Sequence, residues 1–242
     1  MKKLFSTLFL LAVILNFSVS YAQTKVDQTE ITSSVQELTD FHDIIYPMWH
    51  DAYPSKDYEK LKSYVPMIKS SVESINKAKL PGILRDKQTA WTSQLAELNK
   101  AAENYYKAAA GNDNNALLAA AEGLHSGYEK MVRVIRPAIK EIDDFHQTLY
   151  IIYHKLLPDK KFSEIEGMTD ILITKSQAIV NYPHDKLKRL GDNVVKFDAS
   201  AKKLYSSTVS LKEVLKGNDP EKKKVAVESM HSAYEELDAL FK

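Results

Sequence analysis

The sequence predicts an all-α protein in which one helical unit of roughly a hundred residues is used twice. Two observations carry this. Apolar residues recur at steps of three and four over long stretches, and the few glycines and prolines, 7 and 8 in 242 residues, fall mainly between those stretches. In addition, the second half of the chain repeats residues of the first at a nearly constant offset, the histidines above all.

The chain opens with Lys2 and Lys3, an apolar run from Leu4 to Phe17, and small residues at Ser20 and Ala22. That layout predicts a secretory signal over residues 1–22, cleaved after Ala22, and a periplasmic or secreted bacterial product. The run is shorter than the about 20 residues a membrane helix needs, so no membrane insertion is expected once the leader is gone. Losing two lysines with the leader turns the formal charge of +1 into about −1. A balance near zero speaks against a nucleic-acid partner, whose counterions must be displaced by a concentrated basic surface. With no cysteine in the chain, stability rests on a packed core and soft thiolate ligands are excluded.

In the first periodic stretch Val35, Leu38, His42, Ile45 and Trp49 lie along one seam, and Pro54 closes it. A second helix is expected from Ser55 to about Ala78, stopped by Leu80-Pro81-Gly82. A third runs to Ala110, where Gly111 offers a sterically cheap left-handed terminus. Asp113 is placed to cap a fourth, which carries Leu117, Ala121, Leu124, Tyr128, Met131 and Ile135 as its apolar stripe. Four antiparallel helices with short turns describe an up-down bundle. Tyr105, Tyr106, Trp91 and Phe197 read as core or near-core residues, the lysine run 222–224 as a solvated face, and His184 as a surface residue.

At an offset of 104, Phe41, His42, Tyr46, His50, Pro54 and Lys56 fall on Phe145, His146, Tyr150, His154, Pro158 and Lys160. At an offset of 106, Gly111-Asn112-Asp113 falls on Gly217-Asn218-Asp219, Glu122 on Glu228, His125 on His231 and Tyr128 on Tyr234. The change of offset is expected in a loop near Asn181 to Asp192, because loops absorb insertions. The reading is a tandem pair of four-helix bundles, residues 23–137 and 138–242. One long helix, bent at Pro137 and running from about Asn114 to Leu157, is expected to join them.

Six of the seven histidines belong to the matched sets His42, His50, His125 and His146, His154, His231. His42 and His146 read as seam residues, and His125 and His231 as lying at the same depth on the neighbouring helix. Their Glu-x-x-His spacing with Glu122 and Glu228 resembles a ligand pattern of carboxylate-bridged bundles, although the further inward glutamates of such a site are missing. The function expected is one transition-metal site per repeat, Zn, Cu or Ni, with His50 and His154 as secondary candidates. A haem is less favoured; Tyr46, Tyr128, Tyr150 and Tyr234 are the candidate cofactor-contacting tyrosines. The alternative is a non-catalytic structural or interaction module with an envelope protein as partner, its histidines serving as buried hydrogen-bonding struts. Catalysis is not expected: no Gly-x-Ser-x-Gly, His-Glu-x-x-His or phosphate-cradling glycine loop occurs.

Overall fold

The computed structural model describes residues 27–241, and these are all-α, with nine helices and no strand among them. The expected signal segment, residues 1–22, lies outside the described residues.

In the first half α1 (Gln36–Pro47) runs on into a single π turn, Met48–Ala52. The stretch expected as one helix from Ser55 is two, α2 (Tyr58–Ser63) and α3 (Val65–Lys77). Pro66 sits in the first turn of α3, where its missing N–H costs nothing. A 3₁₀ turn, Gly82–Lys87, leads into α4 (Gln88–Ala110), and α5 (Asn114–Ile135) follows. Asp113 caps α5 as expected, accepting from the amides of Asn115 and Ala116 at 2.9 and 3.1 Å. Gly111, by contrast, is extended (φ −91°, ψ −173°) and not left-handed.

The second half has four helices, with one where the first half has α2 and α3: α6 (Lys140–Ile151) with a π turn at Ile152–Leu156, then α7 (Phe162–Val180), α8 (Val194–Leu215) and α9 (Pro220–Asp238). Asp219 caps α9 through the amides of Glu221 and Lys222, as Asp113 does for α5. Two 3₁₀ turns, His184–Lys186 and Lys188–Asn193, occupy the stretch between α7 and α8 where the sequence offset is expected to change. Lys56 and Lys160, paired in the sequence alignment, share an unusual φ of 53°.

The expected long helix through Pro137 is not formed. Arg136 (ψ 126°) and Ile139 (ψ 152°) are extended, so the chain leaves the helical path on both sides of Pro137. Proline disfavours a helical conformation at the residue before it, and here that preference wins over continuity.

Packing closes each half on itself: α1 lies on α3, α3 on α4, α4 on α5 and α5 on α1, while α6, α7, α8 and α9 close the same way. Two apolar cores result, one per half, with Trp91, Tyr105 and Phe197 buried as expected and Tyr106 partly so. One residue crosses over. Tyr150 of α6 packs into the core of the first half.

Candidate functional site

The seam of α1 is Val35, Leu38, Phe41, Ile45, Met48 and Ala52, all buried. His42 is therefore one residue off the seam and exposed, contrary to the expectation that it would be buried there. Adjacent residues on a helix point about 100° apart, and the larger apolar ring of Phe41 takes the inward position. Its counterpart His146 lies beside a buried Phe145 and is only partly exposed. Burial lowers its proton affinity to a pKa of about 4, against opposing help from Asp238 and Asp86.

The imidazoles meet aromatic rings. His42 approaches Tyr46 and Tyr128, with centroids at 5.6 and 5.9 Å. His50 lies on Tyr46 at 4.5 Å, and His125 stacks almost parallel on Trp49 at 4.1 Å. The second half repeats the scheme: His146 stacks on Tyr234 at 4.6 Å, His154 lies on Tyr150 at 4.8 Å, and His231 stacks on Tyr153 at 3.9 Å. His125 thus sits opposite Trp49, two turns along α1 from His42. Equal depth requires the end of α1 and the start of α5 to lie in one plane, whereas α1 runs on into a π turn followed by a turn at Tyr53–Lys56.

Neither glutamate joins its histidine. Glu122 is exposed and accepts a 3.5 Å hydrogen bond from the Tyr53 hydroxyl, and Glu228 pairs with Lys224 at 3.7 Å. His231 instead faces Glu235 at 3.6 Å. Among the described residues no three histidine, aspartate or glutamate side chains come together as a group able to hold a metal ion. His184 is an exposed residue paired with Asp198 at 2.9 Å.

The best-connected part of the arrangement involves two residues that the sequence does not single out, Arg85 and Glu30. Arg85, on the Gly82–Lys87 turn, lies over the Tyr150 ring at 4.9 Å. It donates to the Tyr150 hydroxyl at 2.5 Å, approaches Nδ1 of His154 at 3.1 Å, and is tied back to the Gly82 carbonyl at 2.8 Å. Tyr150 in turn donates to Glu30 at 2.9 Å. Since a guanidinium only donates, His154 accepts at Nδ1 and is neutral, with its proton on Nε2. Burial first, and then Arg85, hold its pKa down to about 4. Burial and the bond to Glu30 raise the Tyr150 phenol, so it stays protonated and able to donate. Gly82 makes the approach feasible: a Cβ there would fall inside the radii of the Tyr150 hydroxyl and the Glu30 carboxylate. Ser33 of the first half also donates to Asp143 of the second. A cleft of about 450 Å³ lies between the halves, lined by His146, Tyr234, Ile142, Leu84 and the Arg136–Pro137 link.

The fold and these contacts define an all-α protein with two aromatic and imidazole faces, one of them partly covered by the other half and with its tyrosine buried there. No protein-family model, curated protein or solved structure matches the chain.

Proposed function

We propose that this is a non-catalytic interaction module of the cell envelope, in which the repeated histidine and tyrosine face of each half is a docking surface. Its internal duplication is part of the proposal and is supported by the matched π turns, aspartate caps and positive-φ lysines. The observation that carries the reading is the seat of Arg85 and Glu30 on Tyr150 and His154, since it gives one of the two faces a docking role already in use. The signal-like first 22 residues support export; mass spectrometry of the exported protein is expected to find Gln23 as its first residue.

A second reading is a single Zn, Cu or Ni ion, or less readily a haem. It is motivated by the histidines repeated between the halves, although no group of three histidine, aspartate or glutamate side chains able to hold a metal occurs among the described residues. Elemental analysis and an absorption spectrum of protein taken from its natural compartment separate the two. The docking reading expects colourless, metal-free protein in which His146→Ala lowers stability by about 1–3 kcal/mol, through loss of the imidazole packed on Tyr234 and the cavity left behind. Stoichiometric metal that disappears in His146→Ala overturns it.

A further inference from the structure

We propose that Tyr46 and His50 form a ready-made receptor for an arginine side chain presented on a turn of a partner protein. The inference rests on the docking reading and gives it a chemistry.

The second half shows what such a receptor does. A guanidinium lies across the Tyr150 ring, donates to its hydroxyl, and reaches the neighbouring imidazole nitrogen with a second N–H. The first half has the same tyrosine and histidine at the same helical spacing, with Tyr46 also touching His42 at 5.6 Å and Asp51 standing where Lys155 lies over Tyr150. Tyr46 and His50 occupy the i and i+4 positions of α1 and its π turn, as Tyr150 and His154 do of α6 and its own. Their rings stand 4.5 Å apart at 44°, against 4.8 Å and 47° in the second half. Nothing equivalent to Arg85 sits on Tyr46 among the described residues. The ring geometry is therefore a property of the helix and its π turn and does not depend on a bound arginine.

Occupancy is what differs. Tyr46 is 54% exposed and Tyr150 2%. His50 is exposed, and neither the Tyr46 nor the His50 side chain makes a hydrogen bond among the described residues. The charges nearby suit a cation. Asp43, exposed one turn before Tyr46, stands where the second half has the neutral Gln147, and exposed Asp51 adjoins His50. In the second half the carboxylate comes from outside, as Glu30. A planar guanidinium matches an acceptor oxygen, an acceptor nitrogen and a ring face together, which a compact ammonium does not. The turn follows from the same precedent: Arg85 reaches its receptor from a Pro-Gly turn whose glycine allows close approach.

The test uses the full chain, with Tyr and His ring signals followed by NMR, and a synthetic peptide copying residues 79–88, Lys-Leu-Pro-Gly-Ile-Leu-Arg-Asp-Lys-Gln. Saturable shifts at Tyr46 and His50 are expected, weakened at least tenfold when the peptide's arginine is replaced by citrulline and at least threefold by lysine. They vanish in a Tyr46→Phe, His50→Ala chain, which keeps its fold because both sites are exposed. Equal response to the citrulline peptide, shifts that survive the double substitution, shifts confined to Tyr150 and His154, or no shift at millimolar peptide would each overturn the proposal. So would concentration-dependent dimerisation abolished by the double substitution, since the occupant would then be a second copy of this chain. Loss of the receptor leaves the docking reading to stand or fall on the metal content and melting of His146→Ala.

Discussion

The faces His42–Tyr46–His50 and His146–Tyr150–His154 have identical residues at identical spacing, on helices that end in the same π turn, yet only the second is partly covered by the other half. The difference comes from the neighbours. The second face meets the Gly82–Lys87 turn and Glu30 of the other half, and the first meets neither. Its tyrosine consequently becomes part of the opposite core, and its histidines lose proton affinity through burial. Side-chain burial here is a tertiary property, set by what packs on a residue and not by that residue's place in its own helix.

The largest way to break the asymmetry is at Gly82. A methyl group there would clash with the Tyr150 hydroxyl and the Glu30 carboxylate, so Gly82→Ala must displace those side-chain ends and break the contacts they make with Arg85 and each other. Overpacking of 1–3 kcal/mol added to loss of charge-assisted hydrogen bonds gives about 3–4 kcal/mol of destabilisation, read by urea unfolding. Gly123 faces open space on an exposed stretch of helix α5, and alanine there should be neutral or slightly stabilising. A Gly82→Ala protein as stable as the parent would mean that the joint contributes nothing.

Removing single hydroxyls compares the faces directly. Tyr150→Phe strands the Glu30 carboxylate and takes an acceptor from Arg85, for an expected loss of about 2 kcal/mol. Tyr46→Phe removes a hydroxyl that faces solvent and should stay within about 0.5 kcal/mol of the parent. Equal losses in the two would remove the ground for treating one face as covered and the other as open.

Much of the fold was legible in the sequence because helix signals are local. Asp113 and Asp219 announce their helices through a carboxylate two residues from the amides it caps, and the stripe from Leu117 to Ile135 is buried as its period predicts. Errors arose where two local signals competed. His42 and Phe41 both fit a seam at steps of three or four, and only packing shows that Phe41 wins. Pro137 fitted a bent helix equally well, until the extended residues around it showed a break. The site was less legible still. Arg85 and Tyr150 are 65 residues apart and Glu30 and Tyr150 are 120 apart, so no periodicity of one helix can bring them together. The sole trace was Gly82 in its turn, which marks a close approach without saying to what.

Acid provides a milder test of the covered face. His146 and His154 fall from the ordinary 6.5 to about 4 in the folded state, so between those values the unfolded chain binds more protons. Stability therefore rises with pH across this window and is lost as pH falls from 7 toward 4. With both rings only partly shielded, the loss between pH 7 and 5, above most carboxylate titration, should be about 1–2 kcal/mol. The variant His146→Gln, His154→Gln should flatten that slope. An unchanged slope would show that these two imidazoles are not held neutral by the fold.

The smallest expected effect concerns what the halves share. Lys56 and Lys160 each hold φ at 53° in the turn after their π segment. A side chain there costs roughly 1–2 kcal/mol, which glycine avoids, while glycine returns about 0.5–1 kcal/mol through the greater freedom of the unfolded chain. Lys56→Gly and Lys160→Gly should each stabilise by about 0.5–1 kcal/mol, and by the same amount in either half. Unequal values would place the difference between the halves in the backbone turns as well as in the contacts made by Arg85 and Glu30. Equal values confine the asymmetry to those contacts, because two turns of one shape then respond alike while the faces beside them do not.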